Sequence, residues 1–285
     1  QYVLPGMATR SRSRSPATAS GRALRDFGRA AGGALLFSLP MLMTMELWEL
    51  GFYLDRGRLI TLMLAALPML FFLSRQIGFE KTRSWRDDVI DALIALGVAA
   101  VTSSVLLVLF GAIGKGMSAD EIIGKIAIQM VPGAIGALLA KSQFGETDED
   151  AEAAEETYGG ELFLMAVGAL FLGFNMAPTE EMMLISFRMT EWHALGLVAL
   201  SLALMHGFVF AVGFAGGSEV SPEESMWSAF LRLTLPGYVV ALSISLFLLW
   251  IFARTDGMSF GDAVMAMVVL GFPSAIGAAS ARLIL

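Results

Sequence analysis

Two groups of carboxylates interrupt apolar stretches of this chain. Glu46 and Glu49 lie in Pro-Met-Leu-Met-Thr-Met-Glu-Leu-Trp-Glu, and Glu180 and Glu181 in Asn-Met-Ala-Pro-Thr-Glu-Glu, while His206 sits near the middle of a further apolar run. An ionised carboxylate inside a bilayer costs a few kcal/mol even on lenient insertion scales, so such groups face the protein interior and commonly serve function. There they bind cations, or take up protons because burial favours the neutral form. Glu46 and Glu49 are three residues apart, on neighbouring faces of one helix. The competing reading is that these acids pair with Lys125, Gln129 or His206 and only hold helices together. Pro40 precedes the first pair and Pro178 the second. A proline frees a carbonyl one turn back and kinks the helix, and interrupted helices at matching places in two halves point to a transporter binding site. The pattern predicts a central ion or proton site of Glu46 and Glu181, with Glu49, Glu180 and His206 around it, near the bilayer midplane.

The elements that must position these residues follow from composition. Of 285 residues, 56% are hydrophobic and 16% charged, where a soluble domain carries roughly a quarter charged. That excludes an ordinary cytosolic enzyme, a disordered chain and a nucleic-acid partner; the partner implied is the lipid bilayer. There is no cysteine, hence no disulfide framework, thiolate metal site or cysteine nucleophile. The net charge of −7 is local, because seven acids and no base fall between Gly145 and Tyr158. A bilayer core about 30 Å thick needs about 20 apolar helical residues. Eight stretches meet this: 31–54, 58–79, 88–114, 119–141, 160–187, 193–216, 226–254 and 260–284. Their length and lack of alternation select helices over barrel strands. The fold class is all-α, a polytopic bundle of eight spans. Met7 reads as a natural start, with Gln1 to Gly6 foreign to it. Arg10, Arg12 and Arg14 belong to a polar tail, and Arg22, Arg25 and Arg29 to a short interfacial helix over 20–30. No cleavable signal peptide is visible. With both termini inside, twelve Lys/Arg lie on the inner side and five on the outer, which predicts a multi-pass protein of the bacterial inner membrane with cytoplasmic termini.

The chain also matches itself. Shifted by 141, residues 116–141 fall on 257–282 with nine identities in 26 positions. Both copies open on a capping-box pattern, Ser118 before Glu121 and Ser259 before Asp262. Both carry a mid-helix proline, Pro132 and Pro273, followed one small residue later by Ala-Ile-Gly-Ala, a pattern suited to close helix packing. Shifted by 135, residues 33–79 fall on 168–214, pairing Thr44 with Thr179 and Glu46 with Glu181. Four spans per half give parallel repeats about an axis along the membrane normal. The expected domains are a basic tail and interfacial helix (1–30), a first repeat (31–141), an acidic cytoplasmic linker (142–158) and a second repeat (159–285).

Other chemistry carries less. Met41, Met43 and Met45 flank Glu46, and Met176, Met182 and Met183 flank Glu181; thioethers suit Cu(I), but 41, 43 and 45 do not share one helical face, and methionine fills irregular packing. Thr102 and Ser104 match Ser243 and Ser245 and could line a polar path, although such hydroxyls more often bond the carbonyl one turn back. No nucleotide loop is present. No cofactor is expected, and assembly as a homo-oligomer is compatible with the pattern.

Over residues 25–285, the two acidic stretches make the chain resemble a family of bacterial integral membrane proteins with no established activity. Ala177-Pro178-Thr179-Glu180-Glu181 followed by Leu204-Met205-His206 is also similar, in part, to the CAAX-type intramembrane proteases and their bacteriocin-processing relatives. That resemblance implies glutamate and histidine activating water through a metal. The family pattern has an arginine four residues after the second glutamate; here that position is Ile185, Arg188 comes three residues late, and His193 is the only other histidine. The sequence therefore favours a proton- or cation-coupled carrier or an ion channel, ahead of a Glu/His intramembrane hydrolase and of a non-catalytic partner-binding protein.

Overall fold

A computed structural model describes residues 19–77, 85–144, 158–211 and 226–284. The basic tail to Ala17 and Thr18, the Lys81 and Arg83 segment, the acidic linker from Gly145 to Thr157 and the end of the 135-residue match, 212–214, lie outside the described residues. Helices and no strands occur among the described residues: α1 (Ala19–Leu42), α2 (Met45–Tyr53), α3 (Arg56–Ile77), α4 (Trp85–Leu109), α5 (Ala119–Phe144), α6 (Tyr158–Met176), α7 (Glu180–Arg188), α8 (Glu191–Ala211), α9 (Met226–Ala229), α10 (Leu235–Ile251) and α11 (Phe260–Ile284). A π-helical turn, Phe230–Thr234, joins α9 to α10. Six helices are long and apolar enough to cross a membrane, and the bent pair Phe27–Leu42 with Met45–Tyr53 makes a seventh if counted as one span.

Two expectations about element bounds change. The interfacial helix expected over 20–30 is not separate, since α1 runs unbroken from Ala19 to Leu42. The stretches 31–54 and 160–187 are not single helices; each ends in a short second helix, α2 or α7. An apolar run reports length, not direction, so a turn inside it leaves no trace in hydropathy.

Local sequence sets the helix starts. The Ser118 hydroxyl accepts from the Glu121 N–H at 3.2 Å, and Ser259 does the same for Asp262 at 3.2 Å, as the capping boxes predict. Each start follows a glycine at positive φ, Gly116 at 97° and Gly257 at 72°, a turn that an L side chain adopts only with strain. The Asp55 carboxylate accepts from the N–H groups of Gly57 and Arg58, opening α3.

Two helices organise the core. α5 is the most enclosed of the span-length helices and packs on α1, α4, α2 and α3; α11 packs on α6, α10, α8 and α7. Glycine lets the backbones meet. A Cβ on Gly33 of α1 would lie 2.2 Å from the Gly136 oxygen of α5, and one on Gly168 of α6 would lie 2.2 Å from the Gly277 oxygen of α11. Small residues at such crossings replace the hydrophobic effect, which is missing between helices in lipid, with close van der Waals contact. The two sets join through Phe37 on Phe171 (centroids 4.7 Å apart), Phe72 on Phe163 (6.0 Å) and the ion pair of Arg58 with Asp256 at 2.6 Å.

Candidate functional site

The acids lie at two helix breaks. After Pro40, which has no N–H for the Leu36 carbonyl, α1 ends at Leu42; Thr44 is extended (φ −99°, ψ 121°), and α2 leaves at 88° to α1. The Thr44 hydroxyl turns back and donates to the Met41 carbonyl at 2.7 Å. The second break repeats this chemistry. Thr179 is extended (φ −72°, ψ 143°), and its hydroxyl donates to the Met176 carbonyl at 2.8 Å. Neither threonine caps the helix that follows it. The first turns of α2 and α7 instead carry acids, Glu46 in one and Glu180 and Glu181 in the other. Negative charge there complements the positive end of the helix dipole.

Glu46 is half-buried, and Glu49, Glu180 and Glu181 are exposed. The reading that placed Glu46 halfway through a continuous span is thus altered: it stands beyond the end of α1, on a helix running across it. Among the described residues no side-chain hydrogen bond or ion pair holds any of these four carboxylates. α2 packs on α5 and α7 on α11, so Glu46 and Glu181 stand on separate elements. His206 of α8 lies 3.0 Å from the Thr234 hydroxyl in the π-helical turn and stacks edge-on against Phe230. His193, exposed, accepts from Thr190 at the start of α8.

The short helices are pinned by close contacts. Gly124 of α5 admits the Gly51 carbonyl of α2 so closely that a Cβ would meet it at 2.0 Å. Beside this crossing Lys125 is buried, its ammonium donating to the Ala112 carbonyl at 3.0 Å and pairing with Glu121 at 3.0 Å. Lys125 is therefore matched by its own helix and loop rather than by Glu46 or Glu49. At the second break the Arg254 guanidinium donates to the Pro178 carbonyl. That contact was not foreseen, because the Lys/Arg count takes Arg254 only as one of its five outer charges.

The methionines diverge. Met41 and Met182 are buried, whereas Met43, Met45 and Met176 are exposed. Among the described residues no group of three or more His, Cys, Asp or Glu side chains could hold a metal. Ser104 and Ser243 bond the Ala100 and Val239 carbonyls one turn back, and Ser245 bonds Ala241 and Ser274. An open cleft of about 710 Å³ between α7, α8 and the start of α11 is lined by Ser186, Thr190, Glu191, Trp192, Phe260 and Asp262 among others.

Sequence reasoning missed a third feature. Gln129, one turn along α5 from Lys125, is 1% exposed, and among the described residues neither its amide nitrogen nor its amide oxygen has a partner. The hydroxyls of Ser38 and Ser103 and the Trp48 indole N–H are likewise buried without partners among the described residues. A glutamine in an apolar span was the available signal.

No curated protein and no solved structure matches the chain. A family model described as "Putative integral membrane protein (DUF2391)" matches residues 26–285. The match takes in both helix breaks, the buried Lys125 and Gln129 and the helices that hold them, and the chain belongs to this family of multi-pass integral membrane proteins.

Proposed function

We propose that this protein is a proton- or cation-coupled membrane transporter or an ion channel, built from two parallel four-helix repeats and using the acids of its broken helices. The observation that carries the reading is the pair of breaks. Thr44 and Thr179 are 135 residues apart, both fold their hydroxyls back on the preceding helix, and both are followed by a nine-residue helix with acid in its first turn. The same offset separates the starts of α3 and α8; an offset of 141 separates α4 from α9 and α5 from α11. The crossings of Gly33 with Gly136 and Gly168 with Gly277 stand at matching positions, each beside an alanine, Ala140 or Ala281. In this reading α8 is the eighth span, the bacterial inner membrane holds the protein with both termini cytoplasmic, and interrupted helices expose the backbone and carboxyl groups that ions need.

Reconstitution in liposomes tests it, with proton, Na⁺, K⁺ and Ca²⁺ flux measured for the wild type, Glu46→Gln and Glu181→Gln. Glutamine keeps the shape and removes the charge. Loss of coupled flux in either variant is the expected result. Unchanged flux in both would leave the acids as helix-end stabilisers and remove the residue-level support for transport.

A further inference from the structure

The two halves of the chain differ where each short helix meets the start of the central helix it packs on, α2 on α5 and α7 on α11. The offset of 135 sets Gly51 on Ser186 and Arg56 on Glu191; the offset of 141 sets Glu121 on Asp262, Gly124 on Met265 and Lys125 on Ala266. In the first half this place is closed. Gly51 and Gly124 bring the backbones together, and the Arg56 guanidinium lies over the crossing, 2.8 Å from where a Cβ of Gly124 would stand. Two cations answer two acids there, Arg56 with Asp120 at 3.5 Å and Lys125 with Glu121 at 3.0 Å.

In the second half the same place is the open cleft of about 710 Å³. A Cβ at either glycine of the first crossing would collide with the facing helix, so the side chains of Ser186 and Met265, which both line the cleft, forbid that approach to α7 and α11. Both internal cations are gone: Glu191 stands at the position of Arg56, and Ala266 at that of Lys125. The acid is kept, as Asp262. Aromatic rings are added, Trp192 at the position of Gly57 and Phe260 at that of Ala119; both line the cleft, 82% and 86% exposed. Among the described residues no hydrogen bond or ion pair holds the Glu191 carboxylate, and that of Asp262 accepts from the Ser259 hydroxyl at 2.7 Å.

The lining decides the class of ligand. The starts of α8 and α11 contribute about half a positive charge each, against two carboxylates, which leaves the cleft negative by about one charge. Among the described residues no lysine or arginine lines it, so an anion is disfavoured. Two carboxylates fall short of a metal-binding set, whereas exposed ring faces attract an ammonium or guanidinium. The volume is that of a site for a small organic molecule, about 300–1,000 Å³.

We propose that the α7–α8–α11 cleft binds an organic ammonium or guanidinium ion, whose charged head takes the place that the Arg56 side chain fills in the first half, between Glu191, Asp262 and the faces of Trp192 and Phe260. Val264 and Met265 offer its apolar body a floor. The head belongs either to a free amine or to an ethanolamine lipid of the surrounding bilayer. Binding here is independent of the transport reading and requires no flux.

Calorimetric titration of the full chain in a non-ionic detergent tests the site with 2-phenylethylammonium and its neutral counterpart, 2-phenylethanol. The amine should bind at least about tenfold more tightly than the alcohol. Glu191→Arg, which restores the cation of the matched position, should weaken amine binding at least about tenfold. Asp262→Asn and Trp192→Gly should each weaken it about three- to tenfold. No binding of the amine to the wild type, equal affinity for amine and alcohol, or an amine affinity untouched by Glu191→Arg would overturn the proposal. Displacement of the amine by dihexanoyl phosphatidylethanolamine and not by dihexanoyl phosphatidylglycerol would assign the head to a lipid, and displacement by neither would assign it to a free amine. Displacement by both would overturn the charge selection.

Discussion

Gly32 and Gly33 are neighbours on α1, yet alanine at the two should behave very differently. At Gly33 a Cβ would lie 2.2 Å from the Gly136 oxygen and 2.3 Å from Ala140 Cβ; at Gly32 it would meet nothing within 4 Å. Carbon contacts are comfortable at about 3.5–4.0 Å, so Gly33→Ala forces α1 and α5 apart by roughly 1 Å or more. The obstacle is backbone and a stub side chain, neither of which can swing away. Overpacking of this kind costs about 1–3 kcal/mol, and a rigid crossing belongs at the upper end. On a chain of this size each kcal/mol moves the thermal midpoint by about 2–4 °C, so a loss of about 2–3 kcal/mol should make Gly33→Ala unfold about 4–12 °C below the wild type in detergent. Gly32→Ala should stay within about 2 °C of the wild type, since it adds a better helix former in open space. Differential scanning fluorimetry on both variants reads the contrast directly. Equal midpoints would refute the argument, because composition, depth and helix are the same and only the crossing differs.

Lys125→Met should be more costly than any exposed charge change, by about 3–5 kcal/mol, because it leaves the Glu121 carboxylate without its ammonium partner. Glu121→Gln added to that variant should recover part of the loss, and a double-mutant cycle in urea or heat would show no coupling if the pair is incidental. Ala151→Cys, in a chain with no native cysteine, should resist a membrane-impermeant maleimide added outside cells; rapid labelling there would reverse the proposed orientation.

The sequence carried the helices and their starts because both rest on local chemistry. Ser118 and Ser259 cap where a serine three residues before an acid predicts, and Pro132 and Pro273 lie inside closely packed helices. It placed interruptions near Pro40 and Pro178 but treated each acid as mid-span, since hydropathy counts residues and cannot register an 88° turn. A finer signal was present: threonine followed by acid within two residues, in Thr44-Met45-Glu46 and Thr179-Glu180, is what a new helix start looks like. Lys125 and Gln129 were named only as partners for the acids. Their true surroundings depend on which helices α5 touches, and no single-chain pattern encodes that. Ser103 was passed over for Thr102 and Ser104, and only the helix packing separates the hydroxyl turned into the core from its neighbours.

The 88° bend has a consequence for how the protein fits its membrane. A nine-residue helix is about 13 Å long, too short to cross a hydrocarbon layer of about 30 Å. α2 runs across α1 rather than continuing it, so Glu46 and Glu49 sit at a height fixed by the length of α1 and by the Gly51–Gly124 contact. The bilayer's own boundary is not fixed in the same way; its thickness differs by several ångströms among membranes. A bilayer thinner or thicker than the span of α1 must therefore adjust around α2 by tilt or by local thinning or thickening of the lipid. Lipid chain length thereby becomes a variable that bears on the bent pair as a whole, exerted without any ligand and without any change in the protein's own contacts.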